Sequence, residues 1–242
     1  MKPIAHIHSL FPEKFGVPRQ AGLVGTKALV VFEPQYRVAE AVRGLEEFDY
    51  VWLVWQFHLV PEDDAFRPTI RPPRLGGNKR VGVFASRSPF RPNPIGLSAV
   101  RLLEIEYKDG PVLLVEGADL VDGTPILDIK PYLPYADSHP EARSGFAADR
   151  PAASLAVSDP KGALDAMPKE EARALVATIE QDPRPHYHDN PERVYSLLFG
   201  TWEVRFKVAD AAATILSVVL NNVKTDSGSN TVASIKGDEK PV

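Results

Sequence analysis

IGLSAVRLLEIEYKDGPVLLVEGAD, residues 95–119, is two β-prone runs joined by a turn. Ile95 to Tyr107 and Pro111 to Asp119 flank Lys108-Asp109-Gly110, and an Asp-Gly pair between apolar runs is a strong hairpin signal. Upstream, Phe48 to His58 (FDYVWLVWQFH) is dense in aromatic and β-branched residues and predicts a central strand. Lys27 to Glu33 (KALVVFE) reads as a buried strand, and residues 3–9 (PIAHIHS) as another, with Ile4 and Ile7 out of strict step; the loop FPEKFGVPRQAG follows it. Glu33-Pro34 introduces a short amphipathic helix from Gln35 to Gly44, and Arg80 to Ala85 reads as a further strand. Downstream, the tight turn Asp122-Gly123-Thr124-Pro125 leads into Ile126 to Lys130 and the Pro-rich KPYLPY. Short strands joined by turns with almost no helix predict a mainly β chain, with a closed or nearly closed antiparallel β-barrel over residues 1–140.

Residues 141–160 are small and polar and read as a linker. Beyond it, Pro168 suits a first helical position, and Ala172, Leu175, Val176 and Ile179 recur at helical spacing until Asp182-Pro183. Asn190, Pro191 and Gly200 frame a second short helix, and Trp202–Val208 with Thr214–Leu220 predict a hairpin. Residues 161–223 therefore read as a small α+β C-terminal domain. The tail, 224–242, is rich in Ser, Gly, Asn, Asp and Lys and is expected to be disordered.

The 242-residue chain is 44% hydrophobic and 25% charged, with a formal net charge of −4. No apolar run approaches the roughly 20 residues of a membrane helix, the segment MKPIAHIHSL lacks the long apolar stretch of a secretory signal, and cysteine is absent. A cytoplasmic location without membrane, disulfide or thiolate chemistry is expected. Against the acidic balance, the window from Ala65 to Leu103 holds Arg67, Arg71, Arg74, Lys79, Arg80, Arg87, Arg91 and Arg101 and no acidic residue. Its Gly76-Gly77-Asn78 and Ser88–Pro94 turns place these cations on stiff loops, an arrangement suited to a polyanion, whereas a solvated basic rim is the plainer alternative.

Among groups able to do chemistry, His6 and His8 share a strand face but lack a third ligand at metal spacing, so no metal is expected. His58 closes the aromatic strand where it meets its loops and is a site candidate. His186 and His188 flank Tyr187 as surface or partner contacts, and His139 in the linker has no assigned role. No GxSxG, GxGxxG or GxxxxGK[ST] is present, and Gly76 to Lys79 is better read as a turn than as a phosphate cradle. Asp122 and Asp128 are either turn formers or acceptors for ligand hydroxyl or ammonium groups.

Five segments resemble the TsaA-like, or TrmO, tRNA methyltransferases: HSLFPEKFGVPRQ (8–20), FDYVWLVWQFH (48–58), SRSPFRPNPIGLSAV (86–100), DLVDGTPILDIKPYLPYAD (119–137) and DPRPHYHDNPERVYSLLFG (182–200). The resemblance implies S-adenosylmethionine-dependent methylation of N6 of threonylcarbamoyladenosine beside the tRNA anticodon, by a homodimer on a β-barrel. By motif it places cofactor contacts on Pro18, Arg19 and Gln20, on Phe57 and His58, on Arg87 and Leu97, and on Asp122, Gly123, Thr124 and Pro125. A sulfonium cofactor asks for an apolar wall, hydroxyl acceptors and a guanidinium, which Phe57, Asp122 and Arg19 or Arg87 supply. Arg71, Arg74, Lys79, Arg80 and Arg91 are then available for RNA phosphates. Asp128, His58 and the substrate's own carboxylate stand as candidate proton acceptors, with none assigned. In the C-terminal module, Arg184, His186 and Arg193 are candidates for anticodon-arm recognition. A non-catalytic RNA-binding barrel is the alternative, and a metal-dependent hydrolase built on His6 and His8 lacks ligands.

Overall fold

The computed structural model describes residues 1–61, 66–72, 75, 78–148, 155–185 and 190–221. Arg74, Gly76, Gly77, His186, His188 and the tail from residue 224 lie outside the described residues.

The first unit contains β1 (Ala5–His8), β2 (Lys27–Phe32), β3 (Tyr50–Gln56), β4 (Thr69–Ile70), β5 (Val81–Gly82), β6 (Ile95–Tyr107), β7 (Pro111–Glu116) and β8 (Pro125–Pro131). Six of these close into an antiparallel barrel in the order β1-β2-β7-β6-β3-β8, with β8 returning to β1 through Ala5↔Ile126. Closure leaves no free strand edge. Alternation decides which side chains enter the core: Val51, Leu53 and Trp55 of β3 point inward, as do Gly96, Ser98 and Val100 of β6. Gly96 is required where it stands, because a Cβ there would run into the Trp55 indole.

The predicted helix at 35–44 is instead three 3-10 turns, Pro34–Tyr36, Ala39–Val42 and Leu45–Glu47. Val38 is extended, Arg43 is non-helical and Gly44 is left-handed, so the chain bends between turns. Each turn lowers one apolar side chain, Tyr36, Val42 or Leu45, onto the open end of the barrel core. The predicted strand at 80–85 survives only as β5, paired with β4; residues 83–85 form a 3-10 turn.

After β8 come α1 (Pro134–Asp137), β9 (Ala156–Ser158), α2 (Lys169–Glu180), β10 (Val194–Phe199), β11 (Trp202–Ala209) and β12 (Ala212–Leu220). The segment read as a second helix, 190–200, is strand β10. Tyr195, Leu197 and Phe199 are buried at a period of two, Asn190 Oδ1 accepts from the Glu192 N–H in a turn, and left-handed Gly200 lies between β10 and β11. Residues 156–158, within the segment read as linker, pair in parallel with β12, completing a sheet ordered β10-β11-β12-β9 under α2.

The second core is not built from the second half of the chain alone. Phe11 is fully buried in it, edge-on to Phe199 with ring centroids 5.8 Å apart, and Leu10, Phe15 and Val17 pack against the same cluster. The Gly200 N–H donates to the Leu10 carbonyl at 2.8 Å. The β1–β2 connection is thus pinned beneath the second sheet.

Candidate functional site at one mouth of the barrel

Antiparallel register sorts the connections. His8 pairs with Leu29, Lys27 with Glu116, Gln56 with Ile95, and Trp55 with Ile126. The end of β1, the start of β2, the ends of β3 and β7 and the starts of β6 and β8 therefore share one mouth. Its connections are 9–26, 57–94 and 117–124. The other mouth receives the 3-10 turns and the Asp109-Gly110 hairpin. Of the predicted cofactor contacts, Pro18, Arg19, Gln20, Phe57, His58, Arg87 and Asp122 to Thr124 all stand on connections at the first mouth, and Leu97 and Pro125 stand on the strand segments beside it.

A hydrogen-bonded chain runs from the barrel interior to these loops. Trp55 Nε1 donates to Ser98 Oγ at 3.0 Å, and the Ser98 hydroxyl donates to the Asp119 carboxylate. Asp119 also accepts from the Ala21 N–H and feels the positive charge of Arg87, whose Nη1 donates to Gln20 Oε1. Burial pushes the Asp119 carboxyl above the usual range, against the opposing pull of the Ser98 bond, the backbone N–H groups and Arg87. Phe57 packs edge-on against Trp55 at 4.2 Å, and its N–H donates to the Pro94 carbonyl at 2.8 Å, which ties the end of β3 to the turn preceding β6.

A second group lies along β1. Asp122 Oδ1 accepts from the Ser9 N–H at 3.0 Å and sits 3.5 Å from His8 Nδ1. The hydrogen bond to Asp122 raises the His8 pKa, which its burial only partly offsets. His6 Nδ1 faces Glu33 Oε1 at 2.8 Å. His58 is shifted down, first by desolvation and then by the nearby charges of His6 and Lys14, whose Nζ donates to the Leu59 carbonyl at 2.6 Å. Among the described residues no three His, Asp or Glu side chains converge as a metal site.

Not every predicted residue presents its functional group to the same space. Arg87, Gln20 and Phe57 are joined through the Asp119 chain. Pro18 is buried, and Arg19 turns its Nη2 to the Asp182 carbonyl at 3.0 Å, at the end of α2. A cavity of about 150 Å³ lined by Lys14, Pro18, Arg19, Thr178 and Pro183 occupies that junction. Leu97 is 54% exposed on the outer face of the barrel. Thr124 is buried and donates its hydroxyl to the Val121 carbonyl at 2.6 Å, holding the turn. Arg71, Lys79 and Arg80 are exposed, while Arg91 donates to the Ser86 and Ser88 carbonyls and braces its own loop. Asp128 is engaged by Lys130 at 2.9 Å and by the Ile129 N–H. Asp182 holds Arg184 bidentately at 2.7 and 2.8 Å. Asp119 and Ser98 were not singled out from the sequence. The available signal was a polar residue, Ser98, at a position that strand alternation turns inward.

Residues 6–138 match the model of the tRNA-methyltransferase O N-terminal domain, and residues 155–221 match that of the TrmO C-terminal domain. The chain belongs to the tRNA-methyltransferase O family. It is 45% identical over 226 residues to the tRNA (adenine(37)-N6)-methyltransferase of Escherichia coli K12, covering 89% of this chain and 95% of that protein. A Pyrococcus abyssi protein named "Probable S-adenosyl-L-methionine-binding protein" is 39% identical over 146 residues, covering 60% of this chain and 74% of that one. The crystal structure of TrmO from Pseudomonas aeruginosa superposes with a TM-score of 0.74 at 34% identity, covering 90% of this chain and 95% of that one. The barrel and the second sheet are thus both family features.

Proposed function

We propose that this chain transfers the methyl group of S-adenosylmethionine to N6 of the adenine at position 37 of tRNA, acting on the threonylcarbamoylated base. The observation that carries the reading is the near full-length match to the E. coli tRNA (adenine(37)-N6)-methyltransferase, 45% identical over 95% of its length. The mouth supports it: a guanidinium held by Gln20 within reach of the Asp119 charge, an aromatic wall at Phe57 and an acidic turn at Asp122 are the donor and acceptor types that S-adenosylmethionine requires.

When bound, the cofactor supplies an electrophilic methyl on a sulfonium. Arg87 would receive its amino-acid carboxylate, the Asp122 turn its hydroxyl or ammonium groups, and Phe57 its apolar surface. Placement of the acceptor nitrogen in line with that methyl supplies much of the rate. The N6–H must also lose its proton. His58 is the better protein acceptor, because its lowered pKa keeps it neutral near pH 7, whereas Asp128 is committed to Lys130 and the Ile129 N–H.

In this reading residues 1–140 are the methyl-transferring unit, and residues 161–223, with Arg184 and Arg193, contribute to anticodon-arm binding. Arg71, Arg74, Lys79, Arg80 and Arg91 serve the RNA side. A homodimer is part of the proposal. Leu97 continues into an outward strip with Val54, Trp52 and Tyr50, and Trp52 and Tyr50 lie 5.6 and 6.2 Å from the Tyr132 ring, an apolar face suited to a second copy. No helix among the described residues is long and apolar enough to cross a membrane, and the cytoplasm is the compartment where tRNA substrate is met.

The test is nucleoside mass spectrometry of tRNA incubated with protein and cofactor. Gain of one methyl on threonylcarbamoyladenosine is expected, and its absence with cofactor bound would refute the reading. His58→Gln should lower kcat while sparing cofactor affinity; equal loss of both would reassign His58 to binding.

A further inference from the structure

The β4–β5 hairpin carries an aromatic pair unlike the others. Phe66 and Phe84 stack with ring centroids 6.3 Å apart and an interplanar angle of 26°, yet they are 58% and 73% exposed. The other ring pairs among the described residues each include a ring that is wholly or partly buried.

The exposure is enforced by the backbone. Thr69 pairs with Gly82 and Ile70 with Val81, and the Val83 N–H donates to the Pro68 carbonyl at 3.0 Å. Val83 is buried at 1% exposure, and the 3-10 turn it begins is closed by Ser86, whose N–H and hydroxyl both donate to the Val83 carbonyl. With Val83 turned in, Phe84 is turned out. Apolar rings held in water are unfavourable unless something covers them.

What surrounds the pair selects its cover. Arg71, Lys79 and Arg80 stand exposed on the same hairpin, which lies in the 57–94 connection at the functional mouth. A second copy of the chain would bring the same cations against these, and like charges oppose that contact. A single-stranded polynucleotide satisfies both features, because each nucleotide carries an anion and a flat π face.

We propose that Phe84, backed by Phe66, is a stacking platform for an unpaired base of the RNA substrate next to the methylated one, with Arg71, Lys79 and Arg80 on the adjoining phosphates. The proposal rests on the tRNA methyltransferase reading and names the element that would hold the loop open at the site.

The experiment uses the full chain with Phe84→Ala, Phe84→Leu and Phe84→Tyr. Two readings are taken, methyl-transfer kinetics on tRNA and anisotropy of a labelled anticodon stem-loop. Phe84→Ala should raise KM and the stem-loop Kd about tenfold. The kcat at saturating tRNA, the cofactor affinity and Tm should stay unchanged. Phe84→Leu, apolar but without a π face, should behave like Phe84→Ala, and Phe84→Tyr like the parent chain. An unchanged stem-loop Kd in Phe84→Ala overturns the proposal, as does full retention by Phe84→Leu. So does a change of oligomeric state in Phe84→Ala, which would make the rings a subunit contact. Failure of the parent chain to methylate tRNA would count against the functional reading, while the stem-loop series still decides the stacking.

Discussion

Two connections leave the same mouth of the barrel and treat their phenylalanines in opposite ways. The 9–26 connection buries Phe11 completely and packs Phe15 and Val17 into the second core, whereas the 57–94 connection, once past Phe57 at its root against Trp55, holds Phe66, Phe84 and Phe90 at more than half exposure. Residue type alone does not separate the two roles. The difference lies in what the backbone is tied to: the first loop is bonded to the second sheet through Leu10 and Gly200, and the second is folded on itself as a small hairpin. An aromatic in the first position holds the site in shape, and one in the second is left available for something outside the chain.

Breaking the first loop should produce the largest effect. Phe11→Ala removes a fully buried ring and its edge contact with Phe199, and should cost about 3–5 kcal/mol of stability by denaturant unfolding. A loss no larger than that of Phe84→Ala would erase the distinction between the loops.

A smaller and more specific effect is expected at the point where the first loop meets the barrel. Asp119→Asn weakens the bond that holds Ala21 and removes the charge that acts on Arg87, with an expected cost of about 1–3 kcal/mol in cofactor binding, roughly 5- to 150-fold in Kd by calorimetry. Tm should not fall in parallel. A neutral side chain relieves the desolvation that raises the Asp119 pKa, so the carboxylate is an unfavourable buried charge at neutral pH and not a stabilising one.

The smallest effect belongs to His8 and Asp122. The folded-state pKa of His8 lies above the ordinary imidazole value, so its contribution to stability is fully present below about pH 6.5 and disappears as pH rises through the folded-state value. His8→Gln should therefore cost up to about 1 kcal/mol near pH 5.5 and nothing near pH 9. A difference that grows with pH would reverse the assignment.

Much of the barrel is legible in the sequence because its signals are local. Ile95–Tyr107 is a strand over the predicted residues, and the Asp109-Gly110 turn, the aromatic β3 and the β11–β12 hairpin follow their patterns. Residues 35–44 misled because Val38, Ala41 and Val42 suit a helical face, although Val38, Arg43 and Gly44 take non-helical backbone. Residues 190–200 misled because Asn, Pro and Gly also frame a strand between turns, and the alternation of Tyr195, Leu197 and Phe199 was the stronger cue. At the site, the loop motifs are readable one by one. Their gathering at one mouth follows from strand register, and the Asp119 link to Ala21 joins residues almost a hundred positions apart, a relation no local pattern encodes.

The burial of Phe11 beside Phe199 also bears on how the molecule is made. Phe11 and Phe15 are synthesised well before Tyr195 and Phe199, against which they settle, so this corner of the protein stays unfinished until the second sheet has been made. Nor can the second sheet be exchanged between relatives as a separate cassette unless its amino-terminal plug travels with it.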